Sequence, residues 1–452
     1  MYEQWLNRLD SPDAASRLGA HYGSEGLVAA RRRYQSLITG LRALVPPMRP
    51  EQQESAAQIR FFTAPGRTEL GGNHTDHNHG KVLAGSVQLD VAAAVLPRED
   101  KQVIFRSTGY PDVRIDLADL SPRTSERGTT EALVRGVAAE LAAQGLAVGG
   151  FTANADSTVL PGSGLSSSAA VEVLFGAIFD QLYGEGTRSA LELAKIGQKA
   201  ENAYFGKPSG LMDQIACAYG GAVLIDFADE QEPNVKPVRI DLESSGLCLG
   251  VVNTRGSHAD LTPEYAAIPE EMKAVARFFG KSVLRELDRE TLVARAESVR
   301  KAAGDRAFLR ALHFFNENHR VDGMHIALEQ ADAASGEARS AALKQYLRRV
   351  NESGDSSWEL LQNLYTPHDP REQGLALALT LTRAFFDFLK KPGKAPVPLW
   401  ACRVHGGGFA GTIQVYIPRE YQDSYRVALE SVFGPGAFTP LRIRPLGVAT
   451  WV

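Results

Sequence analysis

The chain has 452 residues, 44% of them hydrophobic and 23% charged, and a formal net charge of −4. Its length allows two packed domains, and without a basic excess it offers no electrostatic footing for nucleic acid or an anionic membrane. Cys217, Cys248 and Cys402 are too few and too scattered for a disulfide framework or a zinc site built on Cys pairs, so they read as small buried hydrophobes in a reducing compartment.

The opening residues, Met1-Tyr2-Glu3-Gln4-Trp5, lack the basic start and apolar core of a signal peptide, and no apolar run approaches about 18 residues. Cytoplasmic residence is the expectation. Leu27, Ala30, Tyr34, Ile38, Leu41 and Val45 recur at helical spacing until Pro46-Pro47 stops the pattern, which predicts an N-terminal helical cap. Within it, Arg31-Arg32-Arg33 reads as a solvated face. Residues 59–63, 82–96, 103–107 and 113–117 are β-rich and predict a sheet. A helix over 130–144 and a strand over 151–155 follow, then a helix over 166–183 that is apolar almost all round and therefore buried. Ser189 and Glu192 have the spacing of a capping box, opening a helix that runs to about Phe205. After a strand at 222–227, the polar stretch 228–234 is the candidate boundary between lobes. Beyond it, 249–253 is strand-like, 290–391 is mostly helical, and 400–403 with 412–417 form a strand pair around Gly406-Gly407-Gly408.

Four stretches carry chemistry. Leu160-Pro161-Gly162-Ser163-Gly164-Leu165-Ser166-Ser167-Ser168 follows a strand and opens the buried helix. Glycines let backbone approach an anion, and a helix N-terminus supplies unpaired N–H groups and the positive end of a dipole. Taken alone, the stretch is also consistent with a Gly-Ser turn that merely caps a helix. Neither the G-x-x-x-x-G-K-[ST] pattern nor a full dinucleotide fingerprint is present, which tells against P-loop ATPases and Rossmann dehydrogenases. Arg67, Asn73, His74, Asp76, His77 and His79 crowd into a glycine-rich segment with almost no apolar face, suited to a small ligand with many hydroxyls. A metal site on its histidines is the rival reading.

Glu201 and Asp213 flank a Pro-Ser-Gly turn, where one carboxylate can hold Mg²⁺ and the other can orient an attacking hydroxyl. Arg403-Val404-His405-Gly406-Gly407-Gly408 ends in three glycines, and a close backbone approach explains them better than a linker does.

In order and separation, these stretches resemble the galactokinase branch of the GHMP kinases, over about residues 60–450. Residues 65–80 are similar to the signature P-G-R-V-N-L-I-G-E-H-T-D-Y-N-x-G, 160–170 to P-x-G-x-G-L-S-S-S-A-A, and 210–214 to G-I-M-D-Q. His258, Leu261 and Glu264-Tyr265 add a further match. The resemblance implies a two-lobed α+β fold with a mixed β-sheet, helices in each lobe and an active site in the cleft. An N-terminal helical extension would occupy 1–50, with lobes at 51–230 and 231–452.

It further implies that Asp213 acts as base or orienting carboxylate toward the sugar's O1, with Arg67 beside it lowering its pKa. Gly162, Ser163, Gly164, Leu165, Ser166, Ser167 and Ser168 would hold the ATP phosphates, and Ser168 and Glu201 would bind Mg²⁺. Asn73, His74, Asp76 and Tyr265 fall at the sugar, and Gly406 to Gly408 would brace the phosphate loop. The partners implied are a hexose and ATP, with no nucleic acid or membrane, and the protein is expected as a monomer or weak homo-oligomer. Three departures stand out. Asn73 replaces the signature's Glu, which makes galacturonate an alternative to galactose, His77 replaces its Tyr, and Thr68-Glu69-Leu70-Gly71 replaces Val-Asn-Leu-Ile. A non-catalytic sugar sensor, or a kinase for a non-sugar alcohol, are the competing readings; the retained serines and carboxylates oppose the first, and His74, Asp76 and Tyr265 the second.

Overall fold

The computed structural model describes residues 2–45, 59–159, 162–256, 261–389 and 399–451. Pro46-Pro47, Leu160-Pro161, His258 and the expected helix end at 390–391 lie outside the described residues. The chain opens with α1 (Tyr2–Arg8) and α2 (Pro12–Leu44), then β1 (Arg60–Gly71), β2 (Lys81–Pro97), β3 (Gln102–Ser107), β4 (Val113–Asp116), α3 (Thr130–Ala143) and β5 (Phe151–Ser157). The buried helix α4 (Ser167–Tyr183), the capped helix α5 (Ala190–Ala200), α6 (Met212–Tyr219), β6 (Ala222–Asp226) and β7 (Asn234–Val238) complete one layered half.

The other half is built from β8 (Leu247–Asn253), α7 (Thr262–Phe278), α8 (Arg289–Ala294), α9 (Ala296–Ala303), α10 (Asp305–Ala333), α11 (Gly336–Ser356), α12 (Gly374–Phe388), β9 (Ala401–His405), β10 (Thr412–Pro418), α13 (Gln422–Phe433) and β11 (Phe438–Leu441). The last strand, β12 (Ala449–Trp451), returns to pair with β1. The first sheet runs β12-β1-β2-β5-β3-β4, with β6 and β7 extending it from β2, and only β3 and β5 pair in parallel among its described strands. The second runs β11-β8-β10-β9 and is antiparallel throughout.

Period-two alternation explains why β1 and β2 are apolar almost continuously. Phe62, Val91, Ala93 and Val95 face the core with α4, while Phe61, Ala92, Ala94 and Leu96 face Tyr34, Leu37 and Leu41 of α2 and Trp451. The N-terminal helices therefore cover a sheet face. Arg33 departs from the solvated face expected of it. Its side chain is 13% exposed and reaches under α2 to Asp90, itself fully buried and also held by Arg444 at 2.9 Å. A buried carboxylate must be paired, and α2 supplies half of its charge balance.

Two other expectations change. The polar stretch 228–234 is the turn of the β6–β7 hairpin, so the first sheet continues to Val238 and the expected boundary falls inside paired strands. Residues 65–71 lie within a strand whose positions after Arg60 are all buried, so this part of the segment expected to have almost no apolar face is interior. Among the described residues no helix is long and apolar enough to cross a membrane.

Candidate active site

The loop before α4 is shaped by three residues with positive φ: Gly162 (68°), Gly164 (70°) and Ser166 (55°). Ser166 stands at the N-cap of α4 without capping it, because its hydroxyl donates instead to Asp213 Oδ2. The N-terminus of α4 thus has no side-chain cap and presents N–H groups to an anion. Leu165 buries its side chain, so only its backbone can serve a phosphate, and its carbonyl accepts from Arg67 N at 3.0 Å. Gly66 is required there, since a Cβ would stand 2.7 Å from Leu165 O.

Asp213 lies in the first turn of α6. Arg67 grips it with Nε at 2.7 Å from Oδ1 and Nη2 at 2.7 Å from Oδ2, while Nη1 donates to Gly164 O. Burial pushes the Asp213 carboxyl up, but the adjacent guanidinium and its hydrogen bonds outweigh that and hold it below the usual carboxylate range. The expected acid and its partner are therefore together, ionised and oriented beside the phosphate loop.

Where α5 ends, the chain widens into the π-type turn Glu201–Phe205. Glu201 Oε1 accepts from Ser168 Oγ at 3.1 Å and Lys207 Nζ at 2.9 Å; Oε2 accepts from Ser209 Oγ and from Gln214 Nε2 at 3.0 Å. Gln214 also donates to Glu172 at 2.9 Å, and burial beside Glu201 pushes the Glu172 carboxyl well up. Ser168 and Glu201 thus join a hydroxyl and a carboxylate at the loop's edge, a hard-oxygen pair that fits Mg²⁺ once phosphate oxygens complete the shell. The rival histidine site does not assemble: among the described residues no three His, Cys, Asp or Glu side chains gather for a metal. His74 turns to Gly407 O at 2.9 Å, and His79 to Glu230 at 3.3 Å.

The sugar-motif residues meet at the triple-glycine loop. Asn73 Nδ2 donates to Gly406 O at 2.8 Å, His74 Nε2 to Gly407 O, and the Tyr265 hydroxyl to Gly408 O at 3.1 Å. Gly407 lies so close under the Tyr265 ring that a Cβ would stand 2.5 Å from Cε1. Gly406 in turn lies near Gly164, with 3.7 Å from a built Cβ to Gly164 Cα. Asp76 closes the set from the other side, where a Cβ on Gly210, three residues before Asp213, would collide with its Oδ2.

Asn73 is 1% exposed, and its oxygen also accepts from Asn363 Nδ2 at 2.9 Å. His313 fixes its backbone. The ring, held neutral by burial with a pKa lowered to about 4, donates from Nε2 to Asn73 O and accepts at Nδ1 from Ser356.

Sequence reading missed a cavity of about 480 Å³ next to Ser167 and Ser168, walled by Phe105, Tyr110, Val113, Leu133, Val171 and Phe205. These residues come singly from separate elements, and each alone reads as core. Together with the loop they make an apolar slot beside an anion cradle, sized for a nucleoside. Lys207 and Glu172 were missed for a related reason: a lone charge carries no pattern until the fold supplies its neighbour.

Comparison with known proteins gives the family. The GHMP kinases N terminal domain family matches residues 132–221, and the galactokinase galactose-binding signature matches residues 51–97. The chain is 33% identical over 378 residues to a galactokinase of Actinobacillus pleuropneumoniae, covering 82% of this chain and 88% of that one. It is 34% identical over 277 residues to a galactokinase of Streptomyces coelicolor, covering 60% and 69%. The fold superposes on Lactococcus lactis galactokinase complexed with galactose with a TM-score of 0.71 at 24% identity, over 90% of this chain and 99% of that one. Methanococcus jannaschii mevalonate kinase matches with a TM-score of 0.55 at 12% identity, over 85% and 98%. The chain therefore belongs to the galactokinase family of GHMP kinases and is a galactokinase-like, ATP-dependent sugar kinase.

Proposed function

We propose that this enzyme transfers the γ-phosphate of ATP to the anomeric O1 of galactose, giving galactose 1-phosphate and ADP. The observation that carries the reading is the Arg67–Asp213 pair set against the uncapped N-terminus of α4, which puts an acceptor-orienting carboxylate beside an anion cradle. Backbone N–H groups of residues 162–168 and the hydroxyl of Ser167 receive the phosphates, and the apolar slot takes the purine. Asp213 accepts a hydrogen bond from the O1 hydroxyl and directs its lone pair at the γ-phosphorus. The new O1–P bond forms as the bond to the ADP oxygen breaks, and the O1 proton passes to Asp213 and then to solvent.

Because Arg67 keeps Asp213 a weak base, its main work is orientation, with proton transfer late. That suits a loose transition state whose charge lies on the transferred oxygens. Arg67 and the α4 N-terminus face that charge. Mg²⁺, held by Ser168 and Glu201, would neutralise phosphate charge. His74, Asp76 and Tyr265 would orient the sugar hydroxyls.

No observation in the site favours galacturonate. Both polar ends of the Asn73 amide are engaged, and Arg403 Nη2 donates to the neighbouring Glu69. The test is a panel of free hexoses, hexosamines and uronic acids with ATP, read for sugar 1-phosphate by phosphorus NMR. Galactose should give the highest kcat/KM, and a preference for a uronic acid would overturn the substrate assignment.

A further inference from the structure

His405 and Thr412 stand opposite each other on the antiparallel strands β9 and β10. Both are buried, as are Thr68 on β1 and Ser163 in the phosphate loop. The Thr412 hydroxyl lies 2.9 Å from Ser163 O, and a carbonyl can only accept, so Thr412 donates its single proton there. His405 Nδ1, 3.0 Å from Thr412 Oγ1, must then carry its own proton and donate it. Burial keeps the ring neutral, with a pKa lowered to about 3, so Nε2 accepts from the Thr68 hydroxyl at 3.0 Å. Thr68 Oγ1 in turn accepts from Gln414 Nε2 at 2.7 Å.

The bonds run one way, from Gln414 to Thr68 to His405 to Thr412 to Ser163, and the His405 ring also donates directly to the Ser163 backbone. Ser163 sits between two glycines with positive φ, where the backbone is at its most permissive. Gly164 leans on the same imidazole, with a Cβ position 3.0 Å from Nδ1. Thr68 directly follows Arg67 on the strand that leads into the sugar motif.

We propose that His405 and Thr412 are positioning residues whose relay holds the phosphate loop in register with the strand bearing Arg67 and the sugar motif. It rests on the kinase reading above, but not on which sugar is the acceptor. Loss of the Thr412 hydroxyl removes one donor from the Ser163 carbonyl and the acceptor of His405 Nδ1–H, while loss of the Thr68 hydroxyl leaves buried His405 Nε2 without its donor. The γ-phosphate then drifts relative to O1, and small misplacements of reacting groups are costly in rate.

The test compares Thr412→Val, which keeps the shape but removes the hydroxyl, with Thr412→Ser, which restores it, using ATP and whichever sugar the panel identifies. Thr412→Val should raise the KM for ATP and lower kcat, with kcat/KM for ATP falling about tenfold to a hundredfold. The serine variant should stay within about threefold of wild type. A role confined to stability would lower the melting temperature and the active fraction but leave the KM for ATP in place.

Thr68→Val breaks the relay at its far end and keeps the test available if Thr412→Val misfolds. It should also raise the KM for ATP, and the double variant should cost no more than the worse single, because one chain cannot be cut twice. Wild-type ATP kinetics in Thr412→Val, an equal loss in Thr412→Ser, or additive losses in the double variant would overturn the proposal. A change of preferred sugar in the panel would overturn only the galactose assignment.

Discussion

The amide nitrogen of Asn73 stands 3.1 Å from Glu69 Oε1, so the residue that departs from the signature's Glu is bound to one that departs from its Asn. Carboxylate and amide have changed places four residues apart, and Arg403 pairs with the relocated charge.

Asn73→Glu alone would place a second carboxylate beside a buried one with no further cation committed to it. It should destabilise the protein by about 3 kcal/mol. Adding Glu69→Asn restores one carboxylate and one amide to the pair and should recover most of that loss. Denaturant melts of the two singles and the double variant decide it. A single Asn73→Glu variant as stable as wild type would show that the two positions are not coupled.

Asp213→Asn should lower kcat by roughly 10²–10⁴-fold while ATP binding, read by calorimetry, stays near wild type. Arg67→Met tests the electrostatics. The folded-state pKa of Asp213 is depressed, so it stays ionised to lower pH than an ordinary carboxylate. Without Arg67 the main lowering cause is gone and burial, which raises the pKa, remains. The acid limb of kcat/KM should therefore move to higher pH in Arg67→Met. An unmoved limb would mean that Asp213 ionisation does not govern the rate.

Glu201→Gln keeps the shape at the loop's edge but removes the charge that Ser168 and Lys207 share. The Mg²⁺ concentration for half-maximal rate should rise about tenfold or more, in the range seen when metal-supporting groups are lost. Sugar binding, measured without nucleotide, should not change. An unaltered Mg²⁺ requirement would remove Glu201 from the metal site.

Taken singly, the phosphate loop could be a capping turn and the carboxylates solvated acids; they were legible only through their order and separation together, which resemble a known family. The strands and the capping box at Ser189 were legible from periodicity and cap chemistry. Arg33 was not, because its partner Asp90 lies 57 residues on and reads as one polar residue in an apolar strand. The apolar slot beside Ser167 and Ser168 was illegible for the same reason, as were the contacts of His405. The distance between partners along the chain, rather than weakness of the signal at each residue, hid them. Asn73 was visible as a departure, yet its meaning depended on Glu69, and only the fold shows that the two touch.

Acid stability should report the groups that the N-terminal helices bury. His21, with its pKa lowered by burial to about 4, and Asp90, held at about 2 by Arg33 and Arg444 against the cost of burial, lie on the same face of the first sheet. The stabilisation from neutral His21 is complete above its ordinary pKa of about 6.5 and is lost as pH falls toward 4. That from ionised Asp90 is complete above about 3.9 and is lost only as pH falls through about 2; a shift of that size is worth about 2 kcal/mol. His313 and His405 add to the first window, with folded-state values of about 4 and about 3.

The melting temperature should therefore fall first below about pH 6.5, through the histidines, and only later through Asp90. His21→Asn should flatten the first decline by about one proton's worth. Arg33→Met leaves Asp90 with Arg444 as its remaining ion-pair partner. It should cost about 3 kcal/mol at neutral pH and shift the late decline upward, since the main influence lowering the Asp90 pKa is then gone. Thermal melts from pH 7 to about pH 1.5 on the three proteins separate these effects. A late decline unchanged in Arg33→Met would mean that α2 contributes nothing to the charge balance of Asp90.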